Sequence, residues 1–490
     1  MNSGIKWMSF ILVAVFLLGG CQLSPKESSV ISKNGGVFLE NSVIRASENH
    51  SPDETQEIYY SDEFYSTDNS VLFRFDIGSN ISHANMPIVE VQPYYLTAED
   101  AKKVAEVLFG DTVCFEKDPM LDHQYSKQGI LDCVERWSQY TNTEAVTELL
   151  GGSNDHIINQ IKGKIAEFTE LYESAPAEDP HEVCQWTFKN EDAYVYANGD
   201  ETDNGSAHGN KAIMATYAVN DVVYAYNAVT RNESDFKLNV ISAYLYPDGS
   251  PLSIDEAIFR AKLCRTSKPS SECISEIAAK AETMLEDMKL GNWYIDQTFI
   301  KTTEVGDASE YVVCINAVPE INGVRATRQA QITNLTSNSE YASNYYITDV
   351  NFEFSANGDL LSFTMTSPLE IKRTINENVK VIPVSELLEY AKKFLEKSDI
   401  EAYGYGEYYK NAGIAEKCTV IINTIEYSLA RIKAPNSDDT YYYVPALTLF
   451  GEVQYRDEES GDVFYTSNEP EALIILNCVD GTVIDSCTVR

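Results

Sequence analysis

Histidine is scarce in this chain of 490 residues: His50, His83, His123, His156, His181 and His208 are the six, and none follows. Everything after residue 208 therefore lacks the imidazole that a Ser-His-Asp triad, a Cys–His dyad or a His-bound metal requires. Basic residues are few as well, 37 Lys and Arg against 75 Asp and Glu, for a formal net charge of −38. So acidic a surface repels nucleic acid and anionic lipid headgroups and keeps an exported protein soluble. Cationic peptides, metal ions and basic partners are the ligands it leaves open. No G-x-S-x-G elbow, H-E-x-x-H helix, Walker loop or G-x-G-x-x-G turn occurs, and no cofactor is expected.

CxxC is also missing. One of the ten cysteines, Cys21, stands apart from the others at 114, 133, 184, 264, 273, 314, 418, 478 and 487, which are too sparse for a disulfide-stapled scaffold and read mostly as buried small hydrophobes. Cys264–Cys273, around Lys268-Pro269-Ser270-Ser271, and Cys478–Cys487, across the last hairpin, are the pairs close enough in sequence to close short loops. His181-Glu182-Val183-Cys184 holds two ligand types without a second pair at zinc spacing, so it reads as structural. The run from Asn198 to Gly205 imitates a calcium loop until Lys211 falls where a bidentate Glu is needed, and it reads as an exposed hairpin tip. Acidic loops near 436–439 and 457–462 read the same way, and no pair of carboxylates is singled out for glycoside hydrolysis.

What is present begins at the N-terminus. Lys6, an apolar run over 7–18 and then Leu18-Gly19-Gly20-Cys21 read as a secretory signal peptide ending in a lipobox, residues 1–20, cleaved between Gly20 and Cys21. The run is too short to span a bilayer comfortably. In the lipoproteins this segment resembles, the cysteine carries a diacylglycerol thioether and often an N-acyl chain. Each buried methylene contributes about 0.8 kcal/mol, so two chains hold where one comes off. Residues 21–57, rich in Ser, Asn, Glu and Gly, form a flexible tether after Cys21.

One phrase then recurs. Leu96-Thr97-Ala98-Glu99-Asp100-Ala101, Leu252-Ser253-Ile254-Asp255-Glu256-Ala257 and Pro383-Val384-Ser385-Glu386-Leu387 each precede an amphipathic pattern, and the first two carry capping-box spacing that the third lacks. Alternating strands follow, closing on Asp248-Gly249, Asn357-Gly358 and Asp480-Gly481, the strongest short hairpin signals. The expected fold is α+β, with three serial helix-plus-antiparallel-sheet units at 58–250, 251–375 and 376–490. The first is enlarged by helices between 118 and 174, and strands at 71–75 and 88–91 are expected in its sheet. Tyrosines cluster in the third unit, where Tyr403, Tyr405, Tyr441 and Tyr443 form a candidate surface for peptides or sugars. The same rings equally suit a half-exposed sheet face, and Tyr345-Tyr346 make a smaller cluster in the second unit.

Tyr443-Val444-Pro445-Ala446-Leu447, Phe450-Gly451, Ile321-Asn322-Gly323-Val324 and the terminal Asp480-Gly481 resemble uncharacterised lipoproteins of clostridia and related Firmicutes, a family of unknown function. That resemblance implies no activity. At the level of fold, helix-plus-sheet units on a membrane tether are similar to PepSY and YycH/YycI-type extracytoplasmic modules, which act on sensor kinases or proteases. Those YycH/YycI-type modules generally use a transmembrane helix in place of a lipobox. The expected protein is thus held at the outer face of the cell membrane by lipid on Cys21 and binds or regulates a protein or peptide there without catalysis. A cell-envelope hydrolase with paired carboxylates and a solute-binding lipoprotein are the alternatives.

Overall fold

A computed structural model describes residues 55–82, 86–117, 125–141, 155–190, 211–219, 222–233, 236–245, 263–264, 267–305, 308–327, 348–403, 406–433, 440–456, 462–466 and 471–486. Gly20, Cys21, most of the tether, the Ser253 phrase, Asp248-Gly249, Tyr345-Tyr346, Tyr405, Cys487 and the calcium-like loop lie outside them. Among the described residues no helix is long and apolar enough to cross a membrane.

Along the chain, β1 (Thr55–Tyr65), β2 (Val71–Ser82) and β3 (Ile88–Pro93) precede α1 (Ala98–Phe109) and β4 (Cys114–Glu116). Helices α2 (Lys127–Ser138) and α3 (Asp155–Leu171) follow, then β5 (Lys189–Asn190), β6 (Lys211–Val219), β7 (Val222–Glu233) and β8 (Phe236–Leu245). Next come α4 (Ser271–Met288), β9 (Trp293–Val305), β10 (Ala308–Ile321), β11 (Val324–Arg325), β12 (Asp349–Ser355), β13 (Leu360–Thr366) and β14 (Leu369–Asn376). The chain ends with α5 (Val384–Leu395), α6 (Gly406–Asn411), β15 (Cys418–Lys433), β16 (Tyr441–Arg456), β17 (Val463–Thr466), β18 (Glu471–Asn477) and β19 (Val483–Ser486). Two compact units result: an inserted unit of residues 92–325 and 344–370, and an outer unit of residues 1–91, 326–343 and 371–490.

The inserted unit is built on a ten-stranded sheet with the path β11-β10-β12-β13-β8-β7-β6-β4. Helix α1 begins as its spacing predicts: Asp100 N–H donates to Thr97 Oγ1 at 3.2 Å and Thr97 N–H to Asp100 Oδ2 at 2.7 Å. Its face of Ala101, Val104, Ala105 and Leu108 enters one core with Ile277, Ala281, Leu285 and Met288 of α4. Small residues on α1 let it lie close to the sheet, where fully buried Tyr226 donates its hydroxyl to the Ala101 carbonyl at 2.6 Å. Phe352, Phe354 and Phe363 complete this core from β12 and β13, and full burial of such a ring contributes about 1.5–3 kcal/mol. Between β10 and β11 the Asn322-Gly323 turn has both φ positive, 51° and 77°, which matches the twist of a tight hairpin.

Two expectations are corrected here. The division at residue 250 does not separate two sheets, because β8 pairs antiparallel with β13, from Tyr244↔Ser362 to Val240↔Thr366. Two meanders meeting edge to edge remove each other's open edge. In addition, Lys268-Pro269-Ser270-Ser271 is no disulfide-closed loop but the start of α4: Ser270 Oγ caps Cys273 N–H at 3.2 Å, and Pro269 stands before that cap. The Cys273 thiol donates to the Ala356 carbonyl at 3.0 Å instead of bonding to Cys264.

The outer unit carries a nine-stranded sheet with the path β1-β2-β15-β16-β18-β19. The strands at 71–75 and 88–91, expected in the sheet of α1, belong here instead. β2 runs parallel to β15, from Cys418↔Val71 to Ile422↔Phe75, and β3 runs antiparallel to β16 at Tyr441↔Val91 through Tyr443↔Val89. Burial explains the choice: Val71, Phe73, Phe75 and Ile77 alternate on one face and pack with Leu387, Leu388, Ala391 and Leu395 of α5. That helix has the apolar face its sequence predicts and, as expected from the altered third phrase, Pro383 makes no side-chain cap bond. Pro445 is tolerated in the middle of β16 because it falls where that strand changes neighbours, between the β3 pairs ending at Tyr443 and the β18 pairs beginning at Ala446. The hairpin at Asp480-Gly481 forms as predicted, with Gly481 at φ +75°.

Candidate functional site

The sequence points to tyrosines of the last unit as a surface; the structure puts most of them inside. Tyr403 is fully buried, edge-on to Phe73 at 5.9 Å, with its hydroxyl 3.1 Å from Ser398 Oγ. Tyr443 is buried, and Tyr441 is buried with the Arg431 guanidinium 5.5 Å from its ring. These three rings are therefore core, not a binding face. The physical reason is that the middle of β16 is covered on both sides, so alternation along it does not send one set of side chains to water.

An aromatic surface does exist a few residues away, and the buried tyrosines hold it up. Tyr455, completely buried in β16, donates its hydroxyl to the Tyr403 carbonyl at 2.5 Å. That same carbonyl accepts the Gly406 N–H at 2.8 Å, which fixes the start of α6. Tyr409 of α6 then stands edge-on to Tyr455 at 4.8 Å and to Phe464 of β17 at 5.4 Å. Tyr408 lies tilted beside Tyr409 at 5.6 Å. Strand β17 is held to β16 through Tyr455↔Tyr465. On this base Tyr408 is 62% exposed, Ile414 46%, Phe464 44% and Val463 41%. Single exposed apolar residues need no explanation, but Tyr408 and Phe464 are joined through Tyr409 to the buried Tyr455 and form an aromatic patch.

Charges of both signs border the patch: Glu407 and Asp462 are exposed beside Tyr408 and Val463 in the chain, and exposed Arg456 stands opposite Val463, while Lys410 is ion-paired with Glu401 and held above its usual pKa by that hydrogen bond. Rings with carboxylates at their rim accept a cationic, partly apolar group, through the ring faces and through charge. Tyr408 and Tyr409 follow Tyr403 and Tyr405 closely in the sequence, whereas the only sequence signal of Val463 and Phe464 is an apolar triplet directly after an acidic hairpin tip.

Other sequence candidates resolve individually. His181 Nδ1 lies 2.7 Å from Asp179 Oδ1, and Cys184 hydrogen-bonds with Cys114. Among the described residues no group of three or more His, Cys, Asp or Glu is placed to hold a metal ion.

No family model matches the chain, and no curated protein does. The chain is similar to solved structures, among them the following two. An uncharacterised protein from Eubacterium rectale aligns at 11% identity and a TM-score of 0.40, covering 92% of this chain and 99% of the other. The C-terminal domain of Bacillus megaterium YpeB aligns at 10% identity and a TM-score of 0.19, covering 54% of this chain and 91% of that domain.

Proposed function

We propose that this chain is a lipid-anchored extracytoplasmic binding protein, non-enzymatic, whose Tyr408–Phe464 patch takes a cationic peptide segment of a partner at the cell surface. The observation that carries the binding half is the patch itself: exposed rings on a rigid, buried aromatic stack within a strongly acidic chain. The anchoring half rests on Leu18-Gly19-Gly20-Cys21. The same reading sets the chain beside uncharacterised clostridial lipoproteins and, by fold alone, beside PepSY and YycH/YycI-type extracytoplasmic modules.

Anchoring is tested by Cys21→Ala. The variant is released or retained as an uncleaved precursor, with the acylated membrane fraction lost; normal acylated attachment would refute the anchor. Binding is tested by placing a photo-crosslinking amino acid at Tyr408 or Phe464, with exposed Tyr59 as the control site, and identifying what is joined in cells. A basic partner captured from 408 and 464 but not from 59 is expected. Its affinity falls at least tenfold in Tyr408→Ala/Phe464→Ala, since buried aromatic anchors each contribute about 2 kcal/mol. Identical products from all three positions would sink the reading.

A further inference from the structure

Two buried thiols of the inserted unit face one another at the base of its helical segment. Phe115 forms an antiparallel bridge with Val183. It is flanked by hydrogen bonds from Cys184 N–H to the Cys114 carbonyl at 3.0 Å and from Glu116 N–H to the Glu182 carbonyl at 2.7 Å. One step along that register sets Cys114 opposite Cys184. Opposed residues in antiparallel strands have Cα atoms roughly 4.5–5.5 Å apart, within the roughly 4.4–6.8 Å that a disulfide spans. The thiols hydrogen-bond one another, and Tyr217 and the Trp186 backbone N–H also bond this pair of sulfurs. Cys114 and Cys184 are 6% and 7% exposed.

The chain between them needs a fastening. Helices α2 and α3 build a small core of their own from Ile130, Cys133, Trp137, Ile158, Ile161 and Phe168. At the base, β4 pairs with β6 over only Cys114↔Tyr217, Phe115↔Thr216 and Glu116↔Ala215. We propose that Cys114 and Cys184 form a disulfide that closes this base. A disulfide across a long loop restricts the unfolded chain most, and here it is placed beside a ladder of only three pairs.

The oxidant is a disulfide of low molecular weight or of a thiol oxidoreductase. Cys184 ionises first, because the Cys114 thiol donates to its sulfur, while that donation and burial push Cys114 up. The Cys184 thiolate attacks the oxidant's disulfide and expels one thiolate. Cys114, deprotonated in turn, attacks the Cys184 sulfur of this mixed disulfide and expels the second. The oxidant gains two electrons and both protons; the protein gains one S–S bond. An oxidising surrounding in the cell rests on the export reading of Cys21, whereas the pairing itself does not.

The purified full chain, equilibrated in a glutathione and glutathione disulfide buffer, is denatured, alkylated and digested without reduction. Mass spectrometry is expected to find peptides joined through Cys114 and Cys184, lighter by two hydrogens than their sum, with Cys133, Cys314 and Cys418 alkylated. Reductant separates them and lowers the thermal midpoint. Cys184→Ser abolishes the joined species, and Cys133→Ser leaves it in place. Cys114 and Cys184 both alkylated in the oxidising buffer, or each joined elsewhere, overturns the proposal. A Cys21 left unprocessed in cells would count against export alone, since the purified chain still reports the pair.

Discussion

Gly406→Ala is expected to destabilise the outer unit by about 3 kcal/mol or more, at the upper end for an overpacked core site. A Cβ at 406 would overlap the Ile400 carbonyl oxygen and come within 2.7 Å of both the Ile400 carbonyl carbon and Tyr455 Oη. None of these atoms is free to retreat. The Ile400 carbonyl accepts from Tyr403 N–H at 3.2 Å, and the Tyr455 hydroxyl is committed to the Tyr403 carbonyl. Backbone and core must shift together, and the Tyr409 stack with them. Gly413 is the control: it has φ +65° and no atom within 4 Å of a Cβ, so Gly413→Ala costs only the left-handed penalty of about 1–2 kcal/mol. Urea unfolding of both variants measures the difference. Equal midpoints for Gly406→Ala and wild type would show that the close approach does not constrain the fold.

Alkali is expected to unfold the protein cooperatively, with loss of stability beginning near pH 9. Burial pushes the Cys418 thiol in the outer unit up from 9.0 to about 12. In the inserted unit burial first, and then the charge of Asp359, push the Tyr224 phenol from 10.0 to about 12. Both groups are neutral in the folded state, so their contribution is complete below the unfolded pKa. It is lost as pH rises towards the folded one, because the unfolded chain releases the proton first. At about 1.4 kcal/mol per pKa unit, Cys418 alone accounts for about 4 kcal/mol between pH 9 and 12. Tyr217, Tyr226, Tyr427, Tyr455 and Cys478 are shifted in the same direction. Urea titrations from pH 7 to 11 should show a steepening decline, made shallower in Cys418→Ala. A flat stability profile to pH 11 would contradict it.

The local grammar of the chain was readable without coordinates. Thr97 with Asp100 marks a helix start, Leu387, Leu388, Ala391 and Leu395 mark its counterpart in the outer unit, and Asn-Gly or Asp-Gly marks the hairpins. Helix α4 has its own period at Ile277, Ala281, Leu285 and Met288, but the Ser253 phrase competes with it for the same role. What had no local signature was pairing: nothing in Val71-Leu72-Phe73-Arg74-Phe75 names Cys418-Thr419-Val420-Ile421-Ile422 as its parallel neighbour. The tyrosines failed for a related reason. Alternation tells which side chains share a face of β16, but only the elements stacked on each face decide whether Tyr441 and Tyr443 meet water, and Tyr408 and Phe464 come together only in three dimensions.

That parallel pairing also sets an order of assembly. The first strands of the outer unit are made early and cannot complete their sheet until β15, near the far end of the chain, is available. The inserted unit has all its partners within residues 92–370 and can close in the interval. In a chain delivered from its N-terminus, Phe73 and Phe75 wait uncovered throughout. The moment of greatest exposure to misassembly therefore precedes the arrival of the last residues, and a truncation that removes β15 strands the beginning of the protein as much as its end.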